Sequence, residues 1–156
     1  AHMVKLEGGE RIAPRIRALK NAGLAVCAHV GFTPQSVDTL SGFKVQGRDA
    51  GADQLRQDVA AVVEAGADMV VFEMVPAALA AELTASCPVP TVGIGAGAGT
   101  DAQVLVWHDM ADVPAGDHRA TFVRKFGSIG ADLEVAAAAF KRAAHLGEFP
   151  ADEHAF

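Results

Sequence analysis

The sequence has little positive charge, few cysteines and no long hydrophobic run. It contains 13 lysines and arginines against 19 aspartates and glutamates, which gives a formal net charge of -6 at pH 7. A nucleic-acid-binding protein normally shows the opposite bias, with its basic residues concentrated in one patch. The basic side chains between Arg11 and Lys20 are instead spread among other residue types along one predicted helix. We therefore expect no nucleic-acid partner.

The chain also lacks the marks of a secreted or membrane protein. No stretch approaches the ~18–20 consecutive apolar residues that a membrane helix needs, and the N-terminus has no basic and then apolar arrangement of a signal peptide. Cys27 and Cys87 form no close-spaced motif and are expected to be reduced thiols. These absences predict a cytoplasmic location and no membrane partner. Residues 1–3 resemble a cloning remnant, so we expect the domain to cover residues 4–156.

The residues that are present predict an α/β fold. Hydrophobic residues make up 51% of the chain, and short apolar runs alternate with segments of helical periodicity, which is typical of a parallel sheet. The predicted strands are residues 4–7, 24–29, 68–73, 89–94 and 104–107. The predicted helices are residues 10–22, 52–65 and 76–86, and two more within 116–146, separated near 127–130. The intervening segment 31–51 is longer than a connection requires, so we expect a functional or mobile loop.

Three predicted strands end in a titratable residue: Glu7, His29 and Glu73. The carboxyl ends of parallel strands form the active face of α/β sheets and barrels, so these side chains are expected to lie together. Lys5 is two residues from Glu7 and therefore points to the same face of its strand. Two carboxylates, an imidazole and an ammonium group could bind a metal ion or carry out proton transfer.

Each of these residues also has a purely structural interpretation. A glutamate at a strand end can cap a neighbouring helix or pair with a surface lysine. The glycines at 93, 95, 97 and 99 do not favour a dinucleotide site, because Ala98 stands where the phosphate-binding spacing requires glycine. Close backbone approach to a ligand or a neighbouring strand is the better interpretation of that run.

Seven strings along the chain resemble the ketopantoate hydroxymethyltransferase family. They are VKLEGGE (4–10), AHVGFTPQS (28–36), FKVQGR (43–48), FEMVP (72–76), VGIGAG (92–97), VLVWHDM (104–110) and FPADEHAF (149–156). The resemblance implies a (βα)8 TIM barrel, of which this chain would hold only about the last five strands and the C-terminal helices. It also implies transfer of a hydroxymethyl group from 5,10-methylenetetrahydrofolate to 3-methyl-2-oxobutanoate, with Mg²⁺, in pantothenate biosynthesis.

The resemblance further implies roles for four residues. Glu73 matches the base that removes the C3 proton, Lys5 and His29 match residues that bind the substrate, and Glu7 matches a metal ligand. Family members assemble into large rings, so a homo-oligomer is expected.

Some features of the family have no counterpart in this chain. Two metal-binding aspartates and a serine belong to the first barrel strands, and Ala102 stands where glycine is expected. We therefore expect these 156 residues to be inactive on their own. Two alternatives stay open at this point: a non-catalytic barrel fragment that self-associates through its strand edges, and another metal-dependent barrel lyase.

Overall fold

The computed structural model describes residues 1–37, 42, 44–113 and 120–156. These residues form two compact units, Ala1–Val104 and Leu105–Phe156. The first unit contains a five-stranded sheet and the second is mainly helical. None of the helices in the described part of the chain combines the length and the hydrophobicity that a membrane span requires.

The sheet of the first unit is entirely parallel, and its strands follow one another in chain order. The strands are β1 (Met3–Glu7), β2 (Ala25–Gly31), β3 (Met69–Glu73), β4 (Thr91–Ile94) and β5 (Ala102–Gln103). The predicted α/β class and parallel sheet are therefore confirmed. The first strand includes Met3, one of the three residues that resemble a cloning remnant.

Three helices connect the first four strands: α1 (Ala13–Asn21), α2 (Gly51–Glu64) and α3 (Ala77–Ser86). Crossovers between neighbouring parallel strands share one hand, so these helices pack on the same face of the sheet. Every second residue of each strand points into the core between the sheet and the helices, as the two-residue period of a strand requires. Its fully buried members are Ile16, Val26, Ala28, Val62, Val70, Phe72, Ala80 and Ala96. The other face of the sheet carries Glu7, His29 and Glu73.

Asp68 ties the beginnings of β2 and β3 together. Its carboxylate accepts two hydrogen bonds of 2.7 Å from Lys20 Nζ and one of 2.8 Å from the backbone N–H of Val26. The backbone N–H of Asp68 in turn donates to the carbonyl of Val26 at 2.8 Å. These contacts lower the pKa of Asp68, with Lys20 as the largest cause and the Val26 N–H as the second.

We expect the contacts of the Asp68 carboxylate to make the free energy of unfolding depend on pH in the acid range. Since the folded pKa is lowered, the contribution is complete above the unfolded value of about 3.9 and is lost as the pH falls through the folded pKa. Asp68→Asn should lower the free energy of unfolding at pH 7 by at most about 1 kcal/mol, because the pair is partly exposed to solvent. Urea unfolding of the unsubstituted protein and of Asp68→Asn, at pH 7 and at pH 2.5, measures the difference. A difference that persists unchanged at pH 2.5 would contradict it.

Two element predictions were wrong. Residues 104–107 are not a strand: β5 ends at Gln103, and Trp107–Met110 form a short helix, α4. The apolar run Val104–Val106 suggested a strand, but only the backbone N–H of Val104 continues the ladder, to the carbonyl of Gly93 at 3.0 Å. The first of the two helices predicted within 116–146 is also absent from residues 120–127, while residues 116–119 lie outside the described chain. Part of the predicted loop 31–51, namely 38–41 and 43, lies outside it as well.

The second unit is built on α5 (Ile129–Leu146), which confirms the second of those two helices. Gly147 ends α5 in the left-handed conformation, with φ at 73°. The ring of Phe140 then contacts the ring of Phe149 edge to face at 5.6 Å between centroids. His154 Nδ1 accepts a 3.1 Å hydrogen bond from the backbone N–H of Ala151, which folds the C-terminal segment into a single turn.

Candidate active site

The carboxyl ends of β1, β2 and β3 bring together Glu7, His29 and Glu73. Glu7 and His29 are directly opposite each other in the pairing of β1 with β2. Glu73 is opposite Gly31, two residues beyond His29, in the pairing of β2 with β3. Side chains two residues apart on a strand share a face, so all three project from the face that α1–α3 leave uncovered. Sequence reasoning from strand ends led to the same three residues.

His29 lies between the two carboxylates and is almost fully enclosed. Its Nε2 is 3.1 Å from Glu73 Oε2 and its Nδ1 is 3.5 Å from Glu7 Oε1. The imidazole is 1% exposed, whereas the two carboxylates are 15–16% exposed. Neither contact has the directionality of a hydrogen bond, and the described residues offer the two ring nitrogens no other partner. The imidazole is thus packed between two carboxylates, and each ring nitrogen faces one carboxylate oxygen.

Glu7 has a second contact that sequence reasoning missed. Its Oε2 accepts a 2.9 Å hydrogen bond from the backbone N–H of Gln35. Gln35 belongs to a short 3-10 turn, Pro34–Ser36, just beyond β2. A proline after an extended threonine was a usable signal for that turn, because proline is favoured in the first helical position. The turn fixes one carboxylate oxygen of Glu7 and leaves the other facing His29.

Lys5 lies on the same face as Glu7, one step further from the strand ends. It is exposed, and its partner in the ladder is Cys27, which is 6% exposed. Burial raises the pKa of the Cys27 thiol, and the charge of Lys5 offsets part of that rise. Cys27 is therefore a neutral thiol at pH 7 and a packing neighbour of the site. The four candidate residues share one face, and His29 contacts both glutamates.

The backbone around Glu73 is held from several sides. Its carbonyl accepts a 2.8 Å hydrogen bond from the N–H of Phe32. The next residue, Met74, has φ at 50°, a left-handed conformation that is strained for a residue with a side chain. Met74 donates to the carbonyl of Ile94 and accepts from the N–H of Gln46, both at 2.9 Å. These bonds fix the direction in which β3 ends. No sequence signal indicated the strained residue.

A cavity of about 570 Å³ opens near this site but on the other side of the strand ends. It lies between the loops after β1 and β2 and the first half of α2, and Val30, Thr33, Gln54 and Asp58 are among its lining residues. Val30 points to the opposite face from its neighbour His29. The three clustered side chains do not line the cavity, so it is a separate feature.

The described residues fit a metal ion only as contributors to a larger site. In that part of the chain, no grouping of His, Cys, Asp and Glu supplies three ligands to one point. Mg²⁺ is usually bound through one or two carboxylates, and water and substrate oxygens fill its other positions. Glu7 suits that role, since its Oε1 is engaged only by a long contact to His29.

Comparison with known proteins settles the family. The sequence model described as ketopantoate hydroxymethyltransferase matches residues 1–152. The chain belongs to the ketopantoate hydroxymethyltransferase family. The resemblance carried by the seven strings is thereby confirmed.

Curated relatives of the ketopantoate hydroxymethyltransferase family match over the whole chain. The 3-methyl-2-oxobutanoate hydroxymethyltransferase of Corynebacterium diphtheriae is 63% identical over 156 residues, which are 100% of this chain and 58% of that protein. The proteins of the same name from Rhodococcus jostii and Mycobacterium avium are 58% and 54% identical over all of this chain and 54% of their own lengths. The chain thus spans little more than half the length of these relatives.

Proposed function

We propose that this chain supplies the catalytic base, a metal ligand and a substrate-binding lysine to an enzyme that forms ketopantoate from 3-methyl-2-oxobutanoate. The observation that carries the proposal is the position of Glu73, whose carboxylate is partly exposed at a strand end and is braced by a buried imidazole. The names of the relatives supply the reaction, and 5,10-methylenetetrahydrofolate is the one-carbon donor. A cytoplasmic homo-oligomer belongs to the same proposal, as does a single domain covering residues 4–156.

The architecture that suits this function is a (βα)8 barrel. Strands in chain order, each followed by a helix on the same face, are the arrangement that a closed barrel requires. In an open doubly wound sheet the strand order reverses at one point, and the ligand binds there. The sheet of this chain has no such reversal among its five described strands. Further strands beside β1 and β5 would complete the barrel.

Glu7 would hold a divalent cation together with ligands from outside this segment. When bound, that ion polarises the carbonyl of the 2-oxo acid and makes its neighbouring C–H more acidic. This chain would also supply a positive charge opposite the negatively charged substrate. Lys5 is the cation on the uncovered face, two residues before Glu7, and suits the carboxylate or the developing oxyanion of the substrate.

Glu73 then acts on the carbon next to the carbonyl. One of its carboxylate oxygens takes the proton from C3, and the electron pair of the broken C–H bond moves onto the carbonyl oxygen as an enolate. Water releases the one-carbon unit from the two nitrogens of the donor as formaldehyde, which leaves tetrahydrofolate. The enolate carbon then attacks the carbon of that formaldehyde, so a new C–C bond forms and the C2 carbonyl re-forms. The formaldehyde oxygen takes up the proton held by Glu73 and becomes the hydroxymethyl group. A carboxylate with one oxygen braced and the other open to the face of the sheet is suited to this step.

The test uses a protein of the relatives' full length that carries this segment. With 3-methyl-2-oxobutanoate, methylenetetrahydrofolate and Mg²⁺, we expect ketopantoate to form, and we expect EDTA to abolish the reaction and added Mg²⁺ to restore it. Product is measured by mass spectrometry. A purified, folded protein that forms no ketopantoate under these conditions would refute the proposal.

The isolated 156 residues provide the matched control. Because the described residues do not complete a metal site, we expect this segment alone to show no turnover and only weak binding of Mg²⁺ and oxo acid. Isothermal titration measures both. Micromolar, metal-dependent binding of the oxo acid to the segment would show that the missing ligands are not needed.

A further inference from the structure

We infer that His29 is a positioning residue, which holds the Glu73 carboxylate through Nε2 in the orientation for proton removal and does not itself touch the substrate. This differs from the substrate-binding role that the family resemblance implies for His29. The inference rests on the proposed function, because it takes Glu73 as the base.

Burial separates His29 from any molecule that approaches the strand ends. Its side chain is 1% exposed, against 15% for Glu73 and 16% for Glu7. A substrate on this face meets the carboxylates first. The imidazole has only two polar atoms, and each already faces a carboxylate oxygen. A substrate would have to displace a carboxylate to reach either nitrogen.

The strand pairing on both sides of β2 fixes the position of His29. It lies in the central strand of the three, opposite Glu7 on one side and Val71 on the other. Its carbonyl accepts a 2.9 Å hydrogen bond from the N–H of Gly8, so its backbone is held up to the end of the ladder. A carboxylate beside a fixed imidazole loses rotational freedom, which matters because a misplacement of 1 Å can reduce a rate about 10²-fold.

Of the two ring nitrogens of His29, Nε2 is the one that lies beside the proposed base, and its contact is the shorter. Nε2 is 3.1 Å from Glu73, whereas Nδ1 is 3.5 Å from Glu7. Glutamine places its amide near the position of Nε2, and asparagine places its amide near that of Nδ1. His29→Gln therefore keeps a polar group beside Glu73, and His29→Asn is the matched variant that removes it.

The experiment isolates the proton-transfer step in a protein of the relatives' full length. Exchange of the C3 proton of 3-methyl-2-oxobutanoate into D₂O, with Mg²⁺ but without the folate, is followed by NMR. We expect His29→Asn to lower the kcat of exchange about 10- to 100-fold with KM changed less than about 3-fold. His29→Gln should stay within about 5-fold of the unsubstituted protein.

Other outcomes overturn the inference. A raised KM with kcat preserved would make His29 a substrate contact. Equal losses in the two variants, or no loss in either, would show that the Nε2 contact does not position the base. If the unsubstituted protein exchanges no C3 proton and forms no ketopantoate, the proposed function itself fails.

A measurement on the contact itself does not depend on activity or on the folding of a His29 variant. In ¹⁵N NMR of the histidine side chains, Glu73→Gln should shift the Nε2 signal of His29 more than its Nδ1 signal. An unchanged Nε2 signal would show that no such contact exists, whatever reaction the protein catalyses.

Discussion

Replacing Glu73 with glutamine is expected to lower ketopantoate formation about 10³-fold, within the 10²- to 10⁴-fold range of a removed general base. Glutamine keeps the length and shape of the side chain but cannot accept the C3 proton. It can still contact His29 Nε2 through its amide oxygen, so the packing around the buried imidazole is preserved. The loss should fall on kcat, with little change in KM.

Glu82→Gln is the matched control for this experiment. Glu82 lies on α3 in the helical layer, where its exposed carboxylate pairs with Arg56 at 2.8 Å. The same chemical change there should leave the rate within about 2-fold, as for other surface substitutions. Activity is measured at saturating oxo acid and folate. Retention of more than a tenth of the rate by Glu73→Gln would exclude it as the base.

Gly31→Ala is expected to be the most destabilising small substitution near the site. Gly31 has φ at 90°, and a Cβ there would lie 2.3 Å from the carbonyl oxygen of Glu73 and 2.8 Å from Val75 Cγ2. The cost combines left-handed backbone strain with overpacking against main-chain atoms, about 2–5 kcal/mol together. Urea unfolding measures it. The carbonyl of Glu73 would also be pushed off its hydrogen bond with Phe32.

Gly23→Ala separates the two causes of that loss. Gly23 has a similar φ of 80°, but a Cβ there would meet nothing within 4 Å. Only the backbone strain then remains, about 1–2 kcal/mol. If Gly31→Ala and Gly23→Ala lowered the free energy of unfolding by the same amount, overpacking at Gly31 would be excluded as a cause. Such a result would leave φ alone as the reason for glycine at both positions.

Periodicity and topology predicted the grouping of Glu7, His29 and Glu73. Each ends an apolar run, and in a parallel sheet all such ends lie on one edge, so no long-range information was needed. Sequence could not predict that His29 is enclosed between the other two. That enclosure depends on the register of three strands and on the turn carrying Gln35, which are tertiary properties.

The errors near residues 104–107 and 120–127 have a different physical origin. Val104–Val106 has strong intrinsic strand propensity, but propensity is decided by the pairing that surrounds a segment. After Gln103 only one ladder bond to Gly93 remains, and the chain turns into α4. Similarly, residues 120–127 contain helix-compatible side chains but donate backbone bonds elsewhere, as Phe126 does to the carbonyl of Met110 at 2.8 Å.

The pairing of β1, β2 and β3 makes the distance between the two acids independent of the loops that join the strands. Neighbouring strands are about 4.8 Å apart, and this spacing, not the length of any connection, separates Glu7 from His29. Extra residues inserted beyond the turn Pro34–Ser36, which holds Glu7, would leave the trio intact. Deletion of one residue within β2 would instead move the imidazole to the face that the helices cover. A segment that does not tolerate deletion, β2, is therefore followed within a few residues by a loop that tolerates insertion.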